Sequence, residues 1–204
     1  PSNETFMGIS KLETLRFKNI GSFVPIQLFN LTPLSSSLVE LEMSNIEAYW
    51  SPIALLGNGH IYAKMKTINY SNNNFTSVTF NSTSFLGVKT TIEQINMGNS
   101  RITDDRLGTD TFDGCEKLYS LYLNNNLLTT LSPAMFDGLK NLTWLFLQNN
   151  LFTTLPSGIL SKYESSGFNL QLNNNPWFCD GDIWPVRRIL ENNNWNIRPN
   201  RNST

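Results

Sequence analysis

The stretch LYSLYLNNN, residues 118–126, alternates leucine with other residues and ends in three consecutive asparagines. Six further stretches share its spacing, and they begin at Leu12, Leu38, Met65, Ile92, Leu142 and Gly167. Successive starts are 26, 27, 27, 26, 24 and 25 residues apart, so one unit recurs along nearly the whole chain. A near-constant period of this length predicts a repeat array instead of a domain built around one central core.

The alternating leucines of each unit indicate a short strand with one buried face. A single unit buries too little apolar surface to be stable, whereas stacked units share one continuous core. We therefore expect a curved solenoid in which each unit adds one strand to a parallel sheet on the concave side.

The units from Leu118 and Leu142 continue as LLTTLSPAMFDGLKN and LFTTLPSGIL. With their nine-residue cores they resemble the leucine-rich repeat family, in the subclass common in extracellular receptors. The resemblance implies an α/β solenoid, a right-handed horseshoe with a parallel concave β-sheet. It divides the chain into the tail of a preceding repeat at 1–11, seven repeats at 12–176 and a C-terminal cap at 177–204. The cap sequence NPWFCDGDIWP also resembles the family's, and Asp182 would begin a short capping helix.

The two cysteines are too few for a disulfide framework, and their spacing matches no zinc site. Cys115 occupies the position that Leu139 has in a neighbouring repeat, so we expect it to be a buried apolar residue. Cys179 fits the first cysteine of the family's cap, but Gly181 stands at the second. A bridge between Cys115 and Cys179 would span about two repeats, beyond disulfide reach. Both thiols are expected to be free unless Cys179 pairs beyond residue 204.

Charge and motif content argue against several functional classes. With 15 basic and 16 acidic side chains, the chain has no electrostatic footprint for nucleic acid. It has no apolar run of about 18 residues, so we expect no membrane contact by this segment. The segment around His60 contains no recognisable arrangement of nucleophile, base and orienting group. Asp104, Asp105 and Asp110 lack the order of a calcium loop and are interpreted as a solvated insertion. No catalytic residue, metal or cofactor is therefore expected.

Seven Asn-x-Ser/Thr acceptor sites, a mild excess over chance, suggest an extracellular glycoprotein. They lie at Asn3, Asn30, Asn69, Asn74, Asn81, Asn141 and Asn202. Asn69 falls on a position expected to face outward from the sheet, where a glycan would obstruct the middle of the concave face.

Recognition in a solenoid is expected at the outward-facing strand positions, which are the second, third, fifth, seventh and eighth of each nine-residue core. These positions hold no aromatic residue in the first four repeats but five in the last three. Exposed aromatic clusters mark interfaces, so we predict a ligand site there. The candidate residues are Tyr119, Tyr122, Trp144, Phe146, Phe168 and Gln171. The alternative is that Phe168 fills space left by Gly167 and the other rings pack against one another or under the cap.

The asparagines that end each core are predicted to be structural. Asparagine at the eighth position of all seven repeats is expected to adopt turn conformations. Asparagine at the ninth position, as in Asn126, is expected to bond main-chain groups within and between repeats. That ladder should be interrupted where Ile20, Ile46 and Ser100 replace asparagine.

These features favour a non-catalytic ectodomain that binds a protein, peptide or glycan on its concave face. By resemblance, the whole protein would be a membrane-anchored cell-surface receptor. The departure at Gly181 keeps a receptor-like kinase of a non-animal eukaryote among the candidates. The alternative is a secreted adhesion or inhibitor protein without signalling.

Overall fold

Seven parallel strands form one continuous sheet in the computed structural model, which describes residues 6–21, 30–46, 56, 59–160 and 168–178. Their bounds are β1 Thr14–Ile20, β2 Glu40–Ile46, β3 Thr67–Asn69, β4 Gln94–Asn96, β5 Ser120–Tyr122, β6 Trp144–Phe146 and β7 Asn169–Gln171. Neighbours in the sheet are neighbours in the chain. Short 3-10 helices at Thr32–Leu34, Asp104–Arg106 and Pro133–Phe136 and a one-turn α-helix at Ser157–Leu160 lie between strands. The predicted solenoid with a parallel sheet is confirmed.

The strand register follows the repeat period of the sequence. Each strand begins two residues after a predicted unit start. Thr14 pairs with Glu40, and the pairing continues through Thr67, Gln94, Ser120, Trp144 and Asn169, all at the third position. Equivalent side chains of successive repeats therefore stand side by side, about 4.8 Å apart.

The fourth and sixth positions of each core point into the solenoid. Leu121 and Leu123 of the fifth repeat are fully buried, as are their equivalents Leu145 and Leu147. On the side of the core away from the sheet, phenylalanine rings pack against one another, and those of Phe80 and Phe85 lie 6.4 Å apart. At β1, Leu15 is only partly buried, because no described strand covers that side of the sheet.

The eighth-position asparagines adopt the predicted turn conformation. All seven have positive φ, and they are Asn19, Asn45, Asn72, Asn99, Asn125, Asn149 and Asn174. Asparagine tolerates this left-handed region better than other residues with a Cβ atom. Some of these amides also donate to the preceding repeat, as Asn99 Nδ2 does to Asn72 Oδ1 at 2.6 Å.

The ninth-position ladder is confirmed. Asn126 Nδ2 donates to the carbonyl oxygens of Leu123 in its own repeat, at 2.9 Å, and Met97 in the previous one, at 3.0 Å. Its Oδ1 accepts from the main-chain nitrogens of Ser100 and Ile102. Three equivalent residues donate in the same way, and they are Asn73, Asn150 and Asn175.

The predicted interruption at Ser100 is wrong. Its hydroxyl donates toward the carbonyl oxygen of Tyr70, at 3.2 Å, and accepts from the nitrogen of Asn73, at 3.3 Å. A serine hydroxyl both donates and accepts, so it bridges the same repeats as the amide. The side chain of Ile46 has no polar atom for this role, although its main-chain nitrogen donates to Asn73 Oδ1.

Cys115 is fully buried and free, as predicted. Burial raises the pKa of its thiol to about 12, although the charge of Lys89 acts in the opposite direction. Cys179, Gly181, the capping helix at Asp182, Gly167 and the acceptor sites Asn3 and Asn202 lie outside the described residues.

Candidate binding surface on the sheet

Three aromatic rings stack on the outward face of β5 and β6. The rings of Tyr122 and Phe146 are 4.2 Å apart and nearly parallel, at 3°. The rings of Trp144 and Phe146 are 5.9 Å apart, at 8°. We call Tyr122, Phe146 and Trp144 the aromatic stack. It leaves Trp144 39% exposed and therefore offers apolar surface to a partner.

The sheet register produces this arrangement. Tyr122 and Phe146 are partners on adjacent strands, and the strand spacing of about 4.8 Å brings two parallel rings into van der Waals contact. The rings therefore stand on edge from the sheet, with their faces turned toward neighbouring strands. Ser120, the partner of Trp144, is buried at 3% although it has an outward position, as expected beneath large neighbours.

Two further candidate residues lie next to the stack. Gln171 is exposed and pairs with Phe146 on the next strand. Tyr119 is 42% exposed and immediately precedes β5, and its carbonyl oxygen accepts hydrogen bonds from Thr143 and Trp144. Five of the six candidate residues are thus on the surface.

Phe168 corrects the predicted set. It is 5% exposed and belongs to the hydrophobic core. The other repeats from Leu38 onward place a buried Leu, Met or Ile at the first position of the core, where the seventh repeat has Gly167. Because glycine supplies no side chain, the adjacent phenylalanine provides the missing apolar volume. Phe168 is therefore not available to a ligand at this surface.

A cavity of about 540 Å³ borders Tyr122 and Phe146 of the stack. Its walls combine two rings, a glycine, a serine and six side-chain amides, and they are Ser71, Asn72, Asn96, Gly98, Asn99, Tyr122, Asn124, Asn125, Phe146 and Gln148. None of these described lining residues is Asp, Glu, Lys, Arg or His. The cavity could not be predicted from the linear sequence, because residues from four repeats form its walls. We call it the amide cavity.

The sheet face over β1 to β3 has a different chemistry. Glu42 is 7% exposed, and its carboxylate accepts from Lys18 at 2.9 Å, Ser44 at 2.9 Å and Asn69 at 3.2 Å. Arg16 lies 3.4 Å from the same carboxylate and 3.0 Å from Glu40. We call Arg16, Lys18, Glu40, Glu42, Ser44 and Asn69 the Glu42 cluster. Within it, opposite charges are paired and the polar side chains are hydrogen-bonded to Glu42.

The cluster changes the acidity of Glu42. Burial alone would raise the pKa of this carboxyl. The hydrogen bonds from Lys18 and Ser44, with the charges of Lys18 and Arg16, outweigh burial and hold the pKa below its ordinary value.

The Asn-x-Ser/Thr glycosylation sites within the described residues differ in the exposure of their asparagines. Asn69 Nδ2 donates to Glu42, and its Oδ1 accepts from the nitrogen of Ser71 at 3.0 Å. Asn74 is exposed, and its Oδ1 accepts from the Thr76 hydroxyl at 2.9 Å. Asn81 and Asn30 are half-buried, and Asn81 Oδ1 accepts from the Thr83 hydroxyl. Asn141 is exposed, and its Nδ2 donates to the carbonyl oxygen of Glu116.

The acidic segment 104–110 connects repeats, so its interpretation as a solvated insertion is wrong for Asp104. The Asp104 carboxylate accepts from the main-chain nitrogens of Thr129 and Thr130 and from the Thr129 hydroxyl. A hydrogen bond from the Ser82 hydroxyl lowers the pKa of Asp110.

Within the described part of the chain, no three His, Cys, Asp or Glu residues lie close enough together to form a metal site. His60 is exposed.

Comparisons with known proteins agree with this architecture. Residues 90–152 match the family model described as leucine rich repeat. No match to a curated protein was found. In the described ranges, no helix is long and apolar enough to cross a membrane.

Several solved structures have a similar fold at 21% sequence identity. Internalin C2 from Listeria monocytogenes aligns over 85% of this chain and 66% of its own, with a TM-score of 0.57. A chain of the Drosophila Toll–Spätzle complex aligns over 92% and 25%, with a TM-score of 0.65. Listeria monocytogenes InlP aligns over 80% and 50%, with a TM-score of 0.55.

This chain therefore spans less than two thirds of each of these structures. Residues 90–152 match the leucine rich repeat family model, and the chain shares the fold of these solved structures.

Proposed function

We propose that this chain is a non-catalytic protein-binding domain whose principal contact is the aromatic stack. The observation that carries the proposal is the stack itself, with Trp144 39% exposed beside Tyr122 and Phe146 on a hydrogen-bonded sheet. Tyrosine and tryptophan dominate binding hot spots because they bury much apolar area with little loss of conformational freedom. A rigid sheet also reduces the entropy lost on association.

The alternative is that the rings serve only to stabilise the fold, but the other strands form without an aromatic residue at the position of Trp144. Strands β1 to β4 carry Thr14, Glu40, Thr67 and Gln94 where β6 carries Trp144, and they join the same sheet. The fold therefore does not require an aromatic residue at this position. Ring stacking alone would also be satisfied without leaving part of Trp144 in water.

The proposed partner is a protein. A chain with this fold occurs in a complex of two proteins, Toll and Spätzle, which supports the class of ligand. A peptide segment would use the same surface, and a glycan is the alternative ligand. The neutral walls of the amide cavity argue against a highly charged partner at the stack.

We further propose that the chain is the ectodomain of a cell-surface receptor, with a receptor-like kinase as one form. The resemblance of the repeats to the subclass common in extracellular receptors and the exposed glycosylation site at Asn74 support this location. The alternative is a secreted adhesion or inhibitor protein. The full-length transcript tests this: an apolar span of about 20 residues followed by a cytoplasmic domain identifies the receptor. A stop codon without such a span contradicts it.

The binding proposal is tested with peptides selected on the wild-type chain from a phage-displayed random library. Trp144→Ala combined with Tyr122→Ala should weaken their binding by more than about 2 kcal/mol, roughly a 30-fold change in Kd. The matched control combines Arg16→Ala with Glu40→Ala, which removes two side chains from the other half of the face and leaves neither charge of that pair. Circular dichroism verifies folding. Unchanged affinity in the folded aromatic double variant would contradict the proposal.

A further inference from the structure

The aromatic stack ends at Tyr122, where one face of the ring has no aromatic neighbour among the described residues. Phe146 covers the face toward β6. The opposite face is turned toward β4, where the register partner of Tyr122 is Asn96. Both residues line the amide cavity. The next place in the stack is therefore occupied by an asparagine and open space.

Asn96 leaves much of that ring face uncovered. Its side chain is shorter than tyrosine, and its Oδ1 accepts a hydrogen bond from the nitrogen of Gly98 at 2.9 Å, which holds the amide along its own strand. Tyr122 and Asn96 thus both border the cavity, and no second ring covers Tyr122 from the β4 side among the described residues.

Gly98 keeps the cavity in its present shape. A Cβ atom at this position would lie 2.9 Å from Asn124 Oδ1 and 3.2 Å from Asn96 Oδ1. The absence of a side chain lets these two amides lie over the strand beside the ring. A larger residue would push the Asn124 amide outward, into the space that a ligand would occupy.

Gln148 provides a side-chain oxygen that could accept a hydrogen bond from a ligand. Its Oε1 is buried and accepts no hydrogen bond from the residues that the structure describes. A buried acceptor without a donor is unfavourable, so a rotation of this side chain toward the cavity would sacrifice no hydrogen bond of that oxygen. A donor entering the cavity would gain one.

We propose that the amide cavity receives a tyrosine or tryptophan side chain of the protein partner, which continues the stack on the open face of Tyr122. This inference rests on the proposed function, because it names the partner group that the same surface recognises. Parallel aromatic rings attract one another beyond simple area burial. The surrounding amides match the single polar group of tyrosine or tryptophan, whereas a charged side chain would lose its hydration without a counter-charge.

Asn96→Tyr tests the inference by completing the stack from within the chain. The library-selected peptides that contain tyrosine or tryptophan should bind this variant at least about tenfold more weakly, because the new ring occupies their place. Gln94→Tyr is the matched control, since it adds the same ring to the same strand at the position paired with Ser120. Its affinity should stay near that of the wild type.

The outcomes separate this inference from the proposed function. If the Trp144→Ala and Tyr122→Ala double variant loses peptide binding but Asn96→Tyr does not, the aromatic slot is wrong and the binding surface stands. If neither variant loses binding, both proposals are overturned. An absence of tyrosine and tryptophan among peptides that depend on the stack also overturns the slot.

A second measurement does not depend on the folding of any variant. N-acetyltyrosinamide titrated into the isotope-labelled wild-type chain should shift the side-chain amide resonances of Asn96 and Asn124, while N-acetylleucinamide should leave them in place. Equal shifts with both compounds would overturn the aromatic preference. Shifts with a neutral disaccharide, such as methyl cellobioside, but not with N-acetyltyrosinamide would overturn the protein partner in favour of a glycan.

Discussion

The side-chain amide of Asn150 donates a 2.9 Å hydrogen bond to the carbonyl oxygen of Leu123 in the preceding repeat. The same nitrogen donates to Leu147 in its own repeat at 3.0 Å. Asn150 is 4% exposed, so water cannot replace these bonds easily. One buried side chain thus joins the main chains of two repeats, and the interface between these repeats depends on it.

Replacing Asn150 by leucine should therefore destabilise the array. The change removes one of the two amide donors at each carbonyl oxygen, since Asn126 and Asn175 also donate to them. It leaves the buried main-chain nitrogen of Leu128, which donates to Asn150 Oδ1, without that acceptor, at a cost of about 1–3 kcal/mol. Urea unfolding monitored by circular dichroism gives the shift in midpoint. Gln171→Ala, at an exposed position of the neighbouring repeat, is the control. A midpoint shift no larger than that of the control would contradict a structural role for the ladder.

The positive φ of Asn125, 55°, predicts a specific order of stabilities. Asn125→Ala should lower the free energy of unfolding by about 1 kcal/mol, because a Cβ atom strains the left-handed conformation unless the side chain compensates. Asn125→Gly should cost less, since glycine adopts this conformation readily. Thermal unfolding of the two variants provides the comparison. Alanine equal to or better than glycine would show that this turn is not under such constraint.

The lowered pKa of Glu42 predicts a dependence of stability on pH. Because the folded pKa lies below the ordinary value of 4.5, the contribution is fully present above that value and is lost as pH falls through the folded pKa. Between neutral pH and a pH of about 3, the wild type should lose more stability than Glu42→Gln, which cannot titrate there. Urea midpoints measure both proteins. The control is Glu40→Gln, because the Glu40 carboxylate is more exposed and this variant reports the general effect of acid. Identical losses of stability in the wild type and Glu42→Gln would exclude the proposed linkage.

Glycan occupancy should differ between two neighbouring acceptor sites. Asn74 is expected to be glycosylated when the chain is secreted from eukaryotic cells, because the residue is exposed. Asn69 is expected to be unmodified in the folded product, since a glycan on Nδ2 is incompatible with the close approach to Glu42. Glycopeptide mass spectrometry measures both sites, with Asn69→Gln as the mass control. A glycan at Asn69 on folded protein would show that the Glu42 cluster is not formed there.

The sequence predicts the fold well because the same spacing sets both the period and the register. The unit starts Ile92 and Leu118 are as far apart in the chain as the paired strand residues Gln94 and Ser120, since each repeat contributes one strand. The error at Ser100 has a chemical origin: replacing an amide by a hydroxyl shortens the side chain but retains a donor and an acceptor.

The candidate surface was less predictable. The positions of Tyr122, Trp144 and Phe146 follow from the repeat alignment, but Phe168 shows that an outward position becomes a core position when its neighbour is glycine. The Glu42 cluster was missed, although aligning the repeats places Lys18, Glu42 and Asn69 on adjacent strands. The amide cavity depends on side-chain rotamers of four repeats, for which a linear pattern contains no signal.

The strand-by-strand register has a consequence for how such a surface diversifies. The Glu42 cluster and the aromatic stack lie on different strands of one sheet, and the asparagine ladders between them involve only adjacent repeats. Gaining or losing a whole repeat near β4 would preserve both ladders while moving the two chemistries by about 4.8 Å, one strand spacing. The distance between a charged and an aromatic contact is thus adjustable in discrete steps, without redesign of either contact.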